Sequence, residues 1–124
     1  MNDKRPVNLD LGSLKYPPMA IASILHRLSG LLMFLLLPVM LCYLSCSLKS
    51  AASFEEMRMH LANPWVKLII WGFGSAWVYH VVAGIRHMMM DIGVGESLEA
   101  GRRSAILIII LAIIATIFLG IWLW

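Results

Sequence analysis

The chain has 124 residues, 60% of them hydrophobic and only 14% charged, with a formal net charge of +3 and a mean hydropathy of +0.83. Ordinary soluble domains run at about 45 to 50% apolar residues, so the composition is that of an integral membrane protein, one domain over residues 1–124. Three spans of about 20 residues each leave too little polar sequence for a separate soluble catalytic domain, and no aromatic-interleaved basic patch suits nucleic acid.

Residues 1–19 include Asp3, Asp10 and the pair Pro17-Pro18, with no short apolar run before an A-x-A-like site, so they are not expected to be a cleavable signal peptide. They predict an extended cytoplasmic arm, either docked on a soluble partner or a plain flexible tail. The prolines keep the chain out of helix until about Met19. Three apolar segments follow, at about 20–47, 65–90 and 104–124. Each is long enough to cross a hydrocarbon core of about 30 Å at roughly 1.5 Å per residue. The expected fold is therefore all-α, an integral bundle of three transmembrane helices.

Orientation follows from the short loops. Lys4, Arg5 and Lys15 lie before the first span, and Arg102 and Arg103, with Arg86 just ahead of them, lie between the second and third. The other loop holds Lys49 and Arg58, with Lys67 just inside the second span. The positive-inside rule then places the N-terminus in the cytoplasm and the C-terminus outside.

The first span carries Ser23, His26, Arg27, Ser29 and Gly30 near its cytoplasmic end. Ser23 and Arg27 are four apart and share a helix face, and His26 is one residue's rotation away. Arg27 lies about 10 Å deep by helical rise, where it either snorkels to the interface or faces a ligand that carries oxygens. Cys42 and Cys46 lack the C-x-x-C-H of covalent haem attachment and read as small apolar fillers.

In the second span His80, Gly84, His87 and Asp91 follow the four-three-four spacing of one helix face. Ionisable groups are costly in a bilayer and usually face a bundle interior, a cofactor or a proton path. His80 is about 15 Å deep, whereas His87 and Asp91 lie near the interface. Depth favours the neutral imidazole that a metal needs, so His80 reads as a haem-iron ligand or as an inter-helix hydrogen-bonding group. His80 and His87 are about 10 Å apart on one helix and cannot both ligate one iron. His60 lies in the external loop, so a second ligand is either His26 or a residue of another chain. Gly84 leaves room beside His80 for a flat macrocycle or for a close helix. Gly93-Val94-Gly95 follows no strand and is a turn. The third span is featureless apart from Gly120 and the terminal Trp122 and Trp124, which suit a lipid-facing scaffold with interface anchors.

Ser-Ile-Leu-His-Arg-Leu-Ser-Gly over Ser23–Gly30, Tyr-His-Val-Val-Ala-Gly-Ile-Arg-His-Met-Met-Met-Asp over Tyr79–Asp91, and the opening Arg-Pro-Val-Asn-Leu-Asp-Leu together resemble the cytochrome b anchors of succinate dehydrogenase. These are the larger of that enzyme's two small anchors in the bacterial inner membrane, part of respiratory complex II, and the resemblance runs from Arg5 to Trp124. It implies three helices that bind one haem b jointly with a second small membrane anchor. The histidine matching His80 supplies one axial ligand, and the partner anchor supplies the other. It further implies a quinone pocket that uses Ser23 and Arg27, at the edge shared with the iron-sulfur subunit, and haem-propionate contacts from His26 and Arg27. Chemistry agrees with those roles: a quinone gains negative charge on its oxygens as it is reduced, which a cation and a hydroxyl can stabilise. His87 and Asp91 are candidates for a proton path.

The expected function is thus a noncatalytic anchor of succinate:quinone oxidoreductase, with ubiquinone as substrate and succinate oxidised in a separate flavoprotein subunit. An anchor of a quinol:fumarate reductase is the alternative within that class. A cofactor-free membrane assembly or scaffold protein, whose polar residues only join helices, is the alternative outside it.

Overall fold

The computed structural model describes residues 16–124; the segment 1–15, most of the expected N-terminal arm, lies outside the described residues. Four helices follow in order: α1 (Pro18–Ser47), α2 (Ala51–Leu61), α3 (Pro64–Asp91) and α4 (Leu98–Leu123). Among them α1, α3 and α4 are long and apolar enough to cross a membrane, as expected. The chain is a multi-pass membrane protein.

Each boundary has a local cause. Helix α1 begins at Pro18 itself, earlier than expected, because a proline at the first helical position needs no N–H partner and has its φ preset. The Pro17 carbonyl accepts from Ala20 N at 2.9 Å and closes that first turn. The extra helix α2 lies where only a loop is expected. Ser50 and Ser53 form a reciprocal capping box, with Ser50 Oγ accepting from Ser53 N at 3.1 Å and Ser53 Oγ accepting from Ser50 N at 2.9 Å. An Arg58–Glu55 pair one turn apart supports it, and α2 packs mainly on α1. Asn63 caps α3 by accepting from Trp65 N at 2.9 Å. Helix α3 ends in the expected turn, where Gly93 and Gly95 take φ of 86° and 77°, a region open to glycine. Ser97 then caps α4, which starts at Leu98 instead of about Ser104. The polar first turns of α4 remain helical through that cap and the exposed Arg103–Glu99 pair.

Small residues bring the three long helices together. Ala22 on α1, Ala83 on α3 and Ala105 on α4 are completely covered and meet with Ile108 in one cluster. Without side chains beyond Cβ the backbones approach closely, which is how helices associate where lipid removes the hydrophobic drive. Helix α4 is therefore more than a lipid-facing scaffold: Gly101, Ala105, Ile108 and Ala112, spaced four, three and four, form a buried stripe. Its other faces stay exposed, as do Trp122 and Trp124 at its end.

Candidate functional site

The alanine cluster lies beside a set of polar groups between α1 and α3. Tyr79 Oη donates to the Ala22 carbonyl at 2.8 Å, which fixes the rotation of α3 against α1. One residue along, the His80 ring enters the space left by Gly30, where an added Cβ would come within 3.0 Å of His80 Cε1. The His26 ring covers Gly84 in the same way, with Nε2 3.6 Å from where a Cβ would stand. The room beside Gly84 thus admits an imidazole from the neighbouring helix.

The sequence candidates His26, His80 and His87 come together here. The His26 and His80 rings stack, with centroids 4.1 Å apart and planes 19° from parallel. His87 tilts against the other side of the group, its centroid 5.0 Å from that of His26. His80 Nδ1 lies 3.1 Å from Ser29 Oγ and 3.2 Å from the His26 carbonyl oxygen. Ser29 Oγ donates its own proton to that carbonyl at 2.7 Å. Both groups facing Nδ1 therefore act as acceptors, which assigns the His80 proton to Nδ1 and the lone pair to Nε2. No hydrogen bond among the described residues engages His80 Nε2.

His26 is matched less well. Its Nε2 is the one buried side-chain polar atom without a partner among the described residues. A buried orphan of this kind costs about 1 to 3 kcal/mol, so it stands out in an otherwise satisfied interior.

The remaining candidates do not join the cluster. Ser23 is half-buried and Arg27 exposed on the outer side of α1, neither in a hydrogen bond among the described residues. Asp91 is exposed at the end of α3, with no ion pair among the described residues. Cys42 is exposed and Cys46 half-buried, both with free thiols. His60 lies on α2, its ring 5.8 Å from that of Tyr43, well away from the three clustered histidines.

Two groups carry more than the sequence alone discloses. Ser29 orients His80, and its place three residues after His26, on the same helix face, is the signal for it. Arg86 counts in sequence as a loop-flanking charge, yet it is 8% exposed. Its Nε donates to Ser104 Oγ at 2.9 Å and its Nη2 to the Gly101 carbonyl at 2.9 Å. The Gly101–Ser104 pair, one turn apart on α4, is what receives it.

The chain matches the family model described as the succinate dehydrogenase/fumarate reductase transmembrane subunit over residues 1–119. It is 46% identical to the succinate dehydrogenase cytochrome b556 subunit of Coxiella burnetii, with 100% of each chain covered. The protein of that name from Rickettsia typhi is 29% identical over 96% of this chain and 93% of its own. That of Paracoccus denitrificans is 29% identical over 82% and 78%. Three membrane-length helices and near full-length matches agree, and the chain belongs to the family of succinate dehydrogenase/fumarate reductase transmembrane subunits.

Proposed function

We propose that this chain anchors a succinate:quinone oxidoreductase in the bacterial inner membrane, holds one haem b jointly with a second small anchor, and lines part of the ubiquinone-reduction site. The observation that carries the reading is the His80 hydrogen-bond pattern. A metal-ligating histidine nearly always gives its other ring N–H to a carbonyl or similar acceptor, which fixes its tautomer and raises its basicity. His80 does so through Nδ1, leaving the Nε2 lone pair for iron. Gly30 keeps that ring close to α1, and the unpartnered His26 Nε2 offers a donor for an anionic oxygen such as a propionate.

The other iron ligand would come from the partner anchor. His26 would not serve beside His80, because the two rings stack face to face at 4.1 Å and cannot both turn a nitrogen to one iron from separate sides. Held by two histidines, the haem would supply electron transfer rather than oxygen binding. Arg27 is exposed on α1, free to meet an oxygen-bearing ligand at a subunit boundary, with Ser23 one turn before it. As quinone oxygens gain charge, the guanidinium stabilises them and the hydroxyl supplies a hydrogen bond. His87, half-buried against His26, and the exposed Asp91 one turn beyond it form a graded route for protons from the N-terminal, cytoplasmic end. Succinate oxidation and the chain of iron-sulfur centres belong to the flavoprotein and iron-sulfur partners.

The relatives' names favour the succinate enzyme over a fumarate reductase, although the family description covers both. The test is the reduced-minus-oxidised optical spectrum of the purified complex, in wild type and in His80→Tyr. A b-type signal that is lost or altered in the variant is expected. An unchanged signal removes His80 as ligand, and no signal in either leaves the cofactor-free scaffold.

A further inference from the structure

We propose that Arg86 is a fixed, buried positive charge that raises the reduction potential of the haem held at His80. This rests on the haem reading above and adds to it a residue that touches neither iron nor quinone. Arg86 is 8% exposed, and both of its hydrogen-bond partners, Ser104 Oγ and the Gly101 carbonyl, are neutral. Among the described residues the only ion pairs are Arg58–Glu55 and Arg103–Glu99, so no carboxylate there is in direct contact with it. An arginine stays protonated even when buried, because its guanidinium holds its proton at any accessible pH.

Arg86 follows His80 by six residues on one rigid helix, about 9 Å along the axis. The surroundings between them are packed side chains: Tyr79, hydrogen-bonded to Ala22, and the covered Ala83. Charges separated by protein interior are little screened by salt. When iron takes up one electron, ferric to ferrous, the site loses one positive charge, and a neighbouring cation favours that reduced form. Because Arg86 reaches to α4 and His80 faces α1, the lateral offset adds to the axial rise. At about 15 Å and an effective dielectric of about 20, Coulomb's law gives roughly a fivefold effect on the ratio of reduced to oxidised haem. The two hydrogen bonds hold the charge at one place, so Arg86 acts as a positioning and tuning residue.

The experiment is a spectroscopic redox titration of the purified complex in wild type, Arg86→Gln, Arg86→Lys, Ser104→Asp and Arg103→Gln. At a fixed ambient potential Arg86→Gln is expected to lower the reduced-to-oxidised ratio about fivefold. Ser104→Asp leaves the arginine in place and sets a carboxylate against it, so a similar fall is expected even if Arg86→Gln does not assemble. Arg86→Lys keeps the charge and stays near wild type, as does Arg103→Gln, whose exposed cation is already paired. Haem-loaded Arg86→Gln or Ser104→Asp with the wild-type potential overturns the proposal while the haem reading stands. A wild-type complex without any b-type band overturns both.

Discussion

Two seams of the bundle, α3 against α4 and α1 against α3, differ in how far their polar groups are satisfied. Along α3 and α4 the contacts are closed: Lys67 Nζ donates to the Leu123 carbonyl at 2.9 Å, Trp71 Nε1 to the Thr116 carbonyl at 2.9 Å, and Arg86 to Gly101 and Ser104. Each is a donor-only side chain on α3 aimed chiefly at main-chain oxygen of α4, and each finds its partner. Along α1 and α3 Tyr79 is paired in the same way with the Ala22 carbonyl, but the other polar groups are Ser29 and three histidines, whose rings both donate and accept. Among the described residues only Nδ1 of these rings, that of His80, is engaged, so Nε2 of His80 and the buried Nε2 of His26 are left over. The first seam uses its polar groups to hold helices in lipid. The second holds capacity in reserve, and that reserve is where the proposed haem would bind.

Substitution of a glycine tests the contrast most severely. Gly30→Val places a branched side chain where even a single Cβ stands 3.0 Å from His80 Cε1, with the ring already pinned by Ser29 and the His26 carbonyl. Overpacking of this kind costs about 1 to 3 kcal/mol, and the ring can yield only by giving up those hydrogen bonds. Loss of most b-type absorbance per assembled complex is expected. Gly120→Ala makes a comparable intrusion on the other seam, 3.1 Å from Trp71 Nε1, and is expected to lower thermal stability while haem content per complex stays at wild type. Equal haem loss in both variants would mean that the seams are not distinct.

The outer face of α1 gives a smaller effect. Arg27→Leu is expected to reduce quinone turnover by about tenfold to a hundredfold, less than the roughly hundredfold to thousandfold cost of removing a preorganised donor to a developing oxyanion, because Arg27 is exposed. Succinate oxidation with an artificial acceptor and the haem spectrum are expected to remain. Parallel loss of all three would make Arg27 an assembly residue.

The difference between the seams also explains what could be read from the sequence. His80 was legible because a deep histidine is costly and a four-three-four face gives it neighbours. Helix α4 was legible as a span and illegible as a partner, because apart from the Ser104 hydroxyl it contributes carbonyls, glycine and alanine, none of which departs from an apolar pattern. Arg86 was hidden for the complementary reason: its acceptors lie at Gly101 and Ser104, on the far side of a turn, and one is a backbone atom. The Ser50–Ser53 box that starts α2 replaces the usual glutamate or glutamine at the third position with a serine, so the usual signature is absent.

Trp71→Phe is the mildest test and the one that isolates the hydrogen bond. Phenylalanine keeps an aromatic body in the space left by Gly120 and deletes only the N–H that reaches the Thr116 carbonyl. That carbonyl sits within α4 and retains its helical donor, so no unsatisfied acceptor is created and the full burial penalty does not arise. Hydrogen bonds between membrane helices are worth about 0.6 kcal/mol on average. A fall in thermal midpoint of only a degree or two is therefore expected, with the haem spectrum and quinone turnover unchanged. A larger fall would show that Trp71 carries the α3–α4 seam alone; a change in the haem spectrum would show that the closed seam and the open one are coupled through α3.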